Sequence, residues 1–222
     1  MQPLVLFDLD NTLVDRQCTL AEWAGRFQAR HGLSPGSERW LIGLLADRAT
    51  PAHFARVRER FVLDESVGAL WNRYCSDIAA AVVCPQEVLS GLEGLRADGW
   101  RIGVATNGAA DIQWAKLRAT RIADHVDAVC ISEEIGVRKP DPAMFHEAVR
   151  RCGAVCDGAG IWMVGDSPVN DIGGGQAAGL RTVWISRGRP WPGDLLPPDR
   201  QVAEARAAID LLAAAGSVRN VE

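Results

Sequence analysis

The chain has 222 residues, a formal charge of −4, and a composition of 48% hydrophobic and 23% charged residues. At roughly 150 residues per domain this suggests one core plus an insertion, large enough to bury roughly 70% of its unfolded surface. Disordered and collagen-like classes are excluded. The 28 acidic and 24 basic residues form no block, so no basic field exists to attract a nucleic-acid polymer or an anionic membrane.

The N-terminus, MQPLVLFDLD, has no basic lead and only a short apolar run before its first acid. We read it as the start of a folded domain rather than a signal peptide. No apolar stretch approaches the ~18 residues of a spanning helix. The expectation is a cytoplasmic monomer or homodimer. Six cysteines, at positions 18, 75, 84, 130, 152 and 156, form no CxxC pair. They are expected to be reduced thiols, and Cys152 and Cys156 lack the second pair that a zinc site needs.

The segment at 3–8 is the first of five apolar, β-branched-rich runs, the others falling at 101–106, 126–131, 160–166 and 181–186. Their apolar character on both faces predicts strands of a parallel sheet covered on both sides by crossover helices. A doubly wound α/β fold follows. The first two runs are too far apart for an ordinary crossover. About seventy residues with helical periodicity intervene, so residues 16–85 are expected to be an inserted α-helical cap domain, with 1–15 and 86–222 forming the core.

Within the insertion, Asp15 is placed to cap the first helix. Thr50-Pro51 opens another helix, whose Phe54, Val57 and Phe61 share a face. Leu70, Trp71 and Tyr74 suggest a further apolar face. The arginines Arg16, Arg26, Arg48 and Arg58 are read as solvated helix faces, and Trp23, Trp40, Trp71 and Tyr74 chiefly as core. A helix over about 85–98 returns the chain to the sheet.

Further on, Asp141, Pro142 and Gly153 punctuate one helix, and Ser167, Pro168 and Gly179 the next. Gly173-Gly174-Gly175 weakens helix propensity there and suits close backbone approach to the sheet. The segment RQVAEARAAIDLLAAAG reads as the last covering helix. His31, His53, His125 and His146 show no metal-binding spacing and are read as surface or core residues.

Ligands of open parallel sheets bind beyond the carboxyl ends of the strands. Asp8 and Asp10 stand at the first such end, Thr106 and Asn107 at the second, and Gly165 and Asp166 at another, with Ser167 and Asp171 just beyond. Alternation along extended chain puts Asp8 and Asp10 on one wall, with Leu9 opposite. Two such carboxylates repel unless a cation neutralises them. With Asp166 they offer the oxygen-only ligation that suits Mg²⁺.

Only two lysines occur, Lys116 and Lys139, against twenty-two arginines. Lys139 precedes Pro140-Asp141-Pro142 and can neutralise a carboxylate and a phosphate oxygen together. The Thr106 hydroxyl and the amides of Asn107 and Gly108 add donors near a helix start. These groups describe a phosphate held against Mg²⁺ and facing a carboxylate nucleophile.

DLDNTL, TNG, the lysine of VRKPDPAMF, and VGDSPVND, in this order, resemble the four motifs of the haloacid dehalogenase-like hydrolase superfamily. The insertion after the first motif resembles the helical cap of its phosphoglycolate-phosphatase-like branch. The motif wording is most similar to pyrimidine nucleotidases and N-acylneuraminate phosphatases.

The resemblance implies a Mg²⁺-dependent phosphatase acting on a small soluble phosphate monoester. Asp8 would be the nucleophile that becomes an aspartyl-phosphate, and Asp10 the acid and then the base. Thr106, Asn107 and Lys139 would bind phosphate. Asp8, the Asp10 carbonyl and Asp166 would hold the metal, with Asp171 a water-mediated ligand or a brace for Lys139. The alternatives are a phosphosugar mutase of the same fold, a haloacid dehalogenase and a non-catalytic phosphate-ligand-binding protein.

Overall fold

The computed structural model describes residues 2–155 and 160–219, and the side chains only as far as residue 215. Cys156 lies outside the described residues. The strands are β1 (Leu4–Phe7), β2 (Arg101–Thr106), β3 (Ala128–Ile131), β4 (Ile161–Gly165), β5 (Arg181–Ile185) and β6 (Arg200–Val202). They form one sheet in the order β3-β2-β1-β4-β5-β6, and every pairing is parallel.

The five expected strands are present. The sixth corrects the reading of residues 200–216 as helix throughout: Arg200–Val202 pairs with β5, and the helix starts only at Ala205. Three partly solvated edge residues carry no apolar alternation, so they have no strand signature of their own.

The helices are α1 (Arg16–Arg30), α2 (Ser37–Leu45), α3 (Pro51–Phe61), α4 (Val67–Ala81), α5 (Gln86–Ala97), α6 (Ala110–Ala119), α7 (Ser132–Ile135), α8 (Pro142–Arg151), α9 (Gly174–Ala177) and α10 (Ala205–Arg219). Alternate residues of the central strands enter two different cores. Val5 and Phe7 of β1 join Val104, Val164, Leu92 and Leu212 beneath α5 and α10, whereas Leu4 and Leu6 join Met163, Phe145 and Val149 beneath α8. A strand buried on both faces must be apolar at every position, which is why these runs do not alternate.

Local signals act where they were expected. The Asp15 carboxylate accepts from the Cys18 amide at 3.0 Å, Asp141 from Ala143 at 2.9 Å, and the Ser167 hydroxyl from Asn170 at 3.1 Å. After Ser167 the chain makes a π-type turn over Pro168–Gly173 before α9. Gly175 sits where a Cβ would lie 3.1 Å from Met163 Cβ, so the glycine run does bring this backbone against the sheet. The described cysteines, Cys18, Cys75, Cys84, Cys130 and Cys152, are all free.

Helices α1–α4 assemble a third apolar core from Trp23, Phe27, Leu41, Phe54, Trp71 and Tyr74. Ala109 and Ile112, at the start of α6, join that core and attach the helical layer to the sheet domain. Tyr74 packs edge-on against Trp23 at 4.8 Å and Trp71 lies 5.7 Å from Phe54. These rings are therefore packing groups. Among the described residues no single helix is long and apolar enough to cross a membrane.

Candidate active site

The order of strands reverses between β1 and β4, the position at which open α/β sheets form a crevice. The register puts Phe7 level with Val104 and Val164, so Asp8, Thr106 and Asp166 leave the sheet almost together. They line a crevice of about 260 Å³ with Asp10, Lys139 and Asp171. The turn after Asp10 is closed by Asn11, at φ 61°, whose amide donates to the Val14 carbonyl at 2.7 Å.

Lys139 is 2% exposed, and its ammonium donates to Asp8 at 2.6 Å and to Asp171 at 2.7 Å. Burial alone would favour the neutral amine, but the Asp171 and Asp8 charges outweigh it and raise the Lys139 pKa. The second Asp171 oxygen accepts from the Ser167 amide at 2.9 Å.

Asp171 also explains Gly165. A Cβ at position 165 would lie 2.3 Å from the Asp171 carboxyl carbon, closer than any relaxed contact. Gly165→Ala is expected to cost about 1–3 kcal/mol through overpacking, read as a lowered denaturation midpoint. An unchanged midpoint would mean that Asp171 does not press against β4.

Oxygen atoms of Asp8, Asp166 and Asp171 all lie within 4.8 Å of one another. Burial, with the Asp171 charge, pushes the Asp166 acid up to about 6, against the opposing Arg189 guanidinium. Burial also raises the Asp8 acid despite its ion pair with Lys139. Three carboxylates share too little positive charge, and a divalent cation would relieve that shortage. The donor set is oxygen only, so the residues fit a hard ion.

Arg189 lies outside the four motifs. Its guanidinium donates to the Asp166 side chain at 2.9 Å and to the Asp166 carbonyl at 2.7 Å. Trp184 donates to the same carbonyl at 2.9 Å.

Asp10 turns its carboxylate away from the cluster of Asp8, Lys139 and Asp171 and toward α6, while still lining the crevice. It meets the Lys116 ammonium at 2.7 and 2.8 Å and the Gln113 amide at 3.3 Å. Burial pushes the Asp10 acid up, but the Lys116 and Arg16 charges outweigh burial and hold it below the ordinary range. The Thr106 hydroxyl accepts from Gln113 at 2.6 Å.

The Asn107 side chain donates to the Lys139 carbonyl and accepts from the Lys139 amide, at 3.0 and 2.9 Å, so it fixes the lysine loop; the expectation for phosphate concerns its backbone amide, which these bonds do not occupy. Two sequence expectations need correction. The Gly108 amide is engaged by Ser132 at 3.0 Å and is not free for an anion. Arg16, read as a solvated helix face, is largely buried instead. Its guanidinium donates to the Leu45 and Ala46 carbonyls at the end of α2 and lies 3.8 Å from Asp10. An arginine serves there because those last helix carbonyls have no partner within their own helix.

A doubly wound core whose strand ends gather an aspartate pair, a buried lysine and a second pair of aspartates defines a hydrolase of the α/β class. Residues 3–179 match the family model described as haloacid dehalogenase-like hydrolase, and the chain belongs to that family.

A glyceraldehyde 3-phosphate phosphatase of Methanopyrus kandleri is 34% identical over 94% of this chain and 96% of its own length. A phosphoserine phosphatase of Thermus thermophilus is 38% identical over half of this chain, but over only 44% of its own length. Among solved structures, a 2-haloacid dehalogenase from Pseudomonas syringae pv. Tomato DC3000 superposes with a TM-score of 0.66 at 31% identity, covering 96% of this chain and 99% of that one. The chain is an enzyme; of these proteins that it matches along its length, one is named a phosphatase and the other a dehalogenase.

Proposed function

We propose that the protein is a Mg²⁺-dependent phosphatase of a small polar phosphate monoester, working through an aspartyl-phosphate on Asp8. The observation that carries this reading is the convergence of Asp8, Asp166, Asp171 and Lys139 at the β1/β4 crevice. Asp8, Asp166 and the Asp10 carbonyl would hold Mg²⁺, which would supply neutralisation of the phosphoryl oxygens.

The remaining steps belong to the chain. Asp8 attacks phosphorus, and Lys139 and Thr106 hold the phosphoryl oxygens as charge moves between them. Asp10, ionised before the ester binds, takes up the proton of the ester's monoanion, gives it to the departing alkoxide, and then takes one from the water that releases phosphate from Asp8. Asp171, with both oxygens engaged, acts as the brace that aims Lys139. Residues 16–85 form the cap over this crevice, and Arg16 joins the cap to the site.

The crevice wall supports a small polar leaving group. Arg16, Gln17, Asp47, Arg138, Asn170 and Arg189 line it, whereas the rings of Trp23, Trp71 and Tyr74 are spent in the helical core. The glyceraldehyde 3-phosphate phosphatase and the phosphoserine phosphatase, both named for three-carbon phosphate esters, agree with that chemistry.

A phosphate-release screen over about a hundred metabolites is expected to find such esters hydrolysed with Mg²⁺ and not after chelation. Beryllium fluoride, which mimics a phosphorylated carboxylate, should raise the melting temperature only when Mg²⁺ is present. No turnover on any ester would sink the reading.

The similarity to a haloacid dehalogenase structure favours one competitor, in which Asp8 attacks a carbon–halogen bond. That chemistry has no use for a leaving-group acid at Asp10 or a cation at Asp166. Halide release from 2-haloacids without Mg²⁺ would establish it.

A further inference from the structure

Lys116 is the second of the two lysines, and nothing in the proposed mechanism uses it. It lies in α6 and is 3% exposed. Its ammonium has three hydrogens and finds three acceptors: both Asp10 oxygens, at 2.7 and 2.8 Å, and the Gln113 side-chain carbonyl at 2.8 Å. Gln113 stands three residues earlier on the same helix face, and its amide donates to Thr106 at 2.6 Å and to Asp10 at 3.3 Å. A Cβ at Gly108 would lie 2.8 Å from Gln113 Cγ, so the glycine of the TNG segment makes room for this side chain.

Lys116 and Gln113 do not line the crevice; they border an adjoining small hollow on the cap side, next to Tyr74 and Arg48, which shares Asp10, Arg16, Asp47 and Asn107 with the crevice. The two side chains therefore stand outside the first layer around the phosphate. A carboxylate with one partner can turn about its last torsion, but one bridged through both oxygens and tied again by an amide cannot. Asp10 is 17% exposed and could be hydrated without any buried partner, so charge compensation alone does not call for a lysine that is 3% exposed. Burying an ammonium to this extent is costly, and here the burial is matched by one fixed geometry.

We propose that Lys116, seated by Gln113, is a positioning residue that holds the Asp10 carboxylate in the orientation from which it serves the leaving oxygen. The inference rests on the assignment of Asp10 as the leaving-group acid. Its consequence is selective in the first step: transfer from an ester whose leaving group departs without a proton should not need Lys116, whereas transfer from an alkyl ester should, and the later release of phosphate from Asp8 is common to both.

The test compares kcat and KM of the full Mg²⁺-loaded chain on p-nitrophenyl phosphate and on an alkyl phosphate monoester, glycerol 3-phosphate. Lys116→Met is expected to lower kcat/KM, which reports the phosphoryl-transfer step, on the alkyl ester about 100-fold or more, the scale of general-acid catalysis, with kcat/KM on the aryl ester changed by less than about fivefold. A fall in kcat common to both esters belongs to the release of phosphate from Asp8, where Asp10 serves the water. Gln113→Met, which retains the ammonium and loses its seat, should show the same selectivity with a smaller loss. It also carries the test if Lys116→Met does not fold. Lys116→Arg, keeping charge and donors, should recover part of the alkyl-ester rate.

Equal losses of kcat/KM on the two esters would make Lys116 a general support of the fold and overturn the proposal. Unchanged rates on both would overturn it as well. If glycerol 3-phosphate is not turned over, an alkyl phosphate found by the metabolite screen takes its place; a protein inactive on every ester would instead remove the phosphatase reading itself, and the positioning role with it.

Discussion

Replacing Asp8 with asparagine is expected to lower turnover by about 10⁴-fold or more, the scale seen when a nucleophile is removed from a preorganised site. The exchange is nearly isosteric, and Lys139 keeps its second partner, Asp171, at 2.7 Å. The fold should therefore survive. The sign of the stability change follows from the raised Asp8 acid.

A carboxyl whose folded pKa lies above its unfolded value destabilises the protein once the pH passes the unfolded value, because folding must then hold either an unfavourable charge or an extra proton. Asparagine removes that penalty at neutral pH. In metal-free buffer the melting temperature of Asp8→Asn should equal or exceed that of the wild type, while phosphate release is lost. Full activity in this variant would take Asp8 out of the nucleophile's role.

Replacing Lys139 with methionine is expected to fail on both counts. The apolar stem is retained, but Asp8 and Asp171 lose an ammonium at 2.6 and 2.7 Å inside a site that is almost closed to water. Removing one partner of a buried ion pair costs about 3–5 kcal/mol. For a chain of this size that is a fall of roughly 6–20 °C in the melting temperature.

Turnover should fall together with stability, because the same ammonium meets the phosphoryl oxygens. Added Mg²⁺ should restore part of the thermal loss by replacing the missing positive charge, and it should restore little of the rate. Thermal denaturation with and without Mg²⁺, paired with phosphate release, reads both effects. A melting temperature unmoved by the substitution would mean that Lys139 does not hold the two carboxylates together.

Several elements of the site were legible along the chain because each rests on a local pattern. Asp8, Thr106 and Asp166 follow apolar runs that could only be doubly covered strands, and such strands deliver their terminal residues to one edge. Asp141 and Ser167 are caps set by short-range hydrogen bonding.

Arg189 and Arg16 carried no comparable signal. An arginine after β5 or at the start of a cap helix has the same local sequence whether it meets solvent or a carboxylate. Lys116 and Gln113 had a faint signal, namely a rare lysine three residues after a glutamine on an otherwise apolar helix face. Their target, Asp10, is more than a hundred residues away in the chain. β6 escaped because three partly solvated residues bury too little to impose a period.

The amino-acid order by itself determined that this chain builds a parallel sheet covered on both faces, interrupts it with helices after the first strand, and places acids and a lysine at the strand ends. Periodicity, caps and glycine positions are local physical constraints, and they can be read without coordinates. Tertiary structure alone decided which ammonium meets which carboxylate: Lys139 with Asp8 and Asp171, Lys116 with Asp10, Arg189 with Asp166. Those pairings depend on how distant segments converge around a buried crevice, where charges left without partners would be too costly to keep.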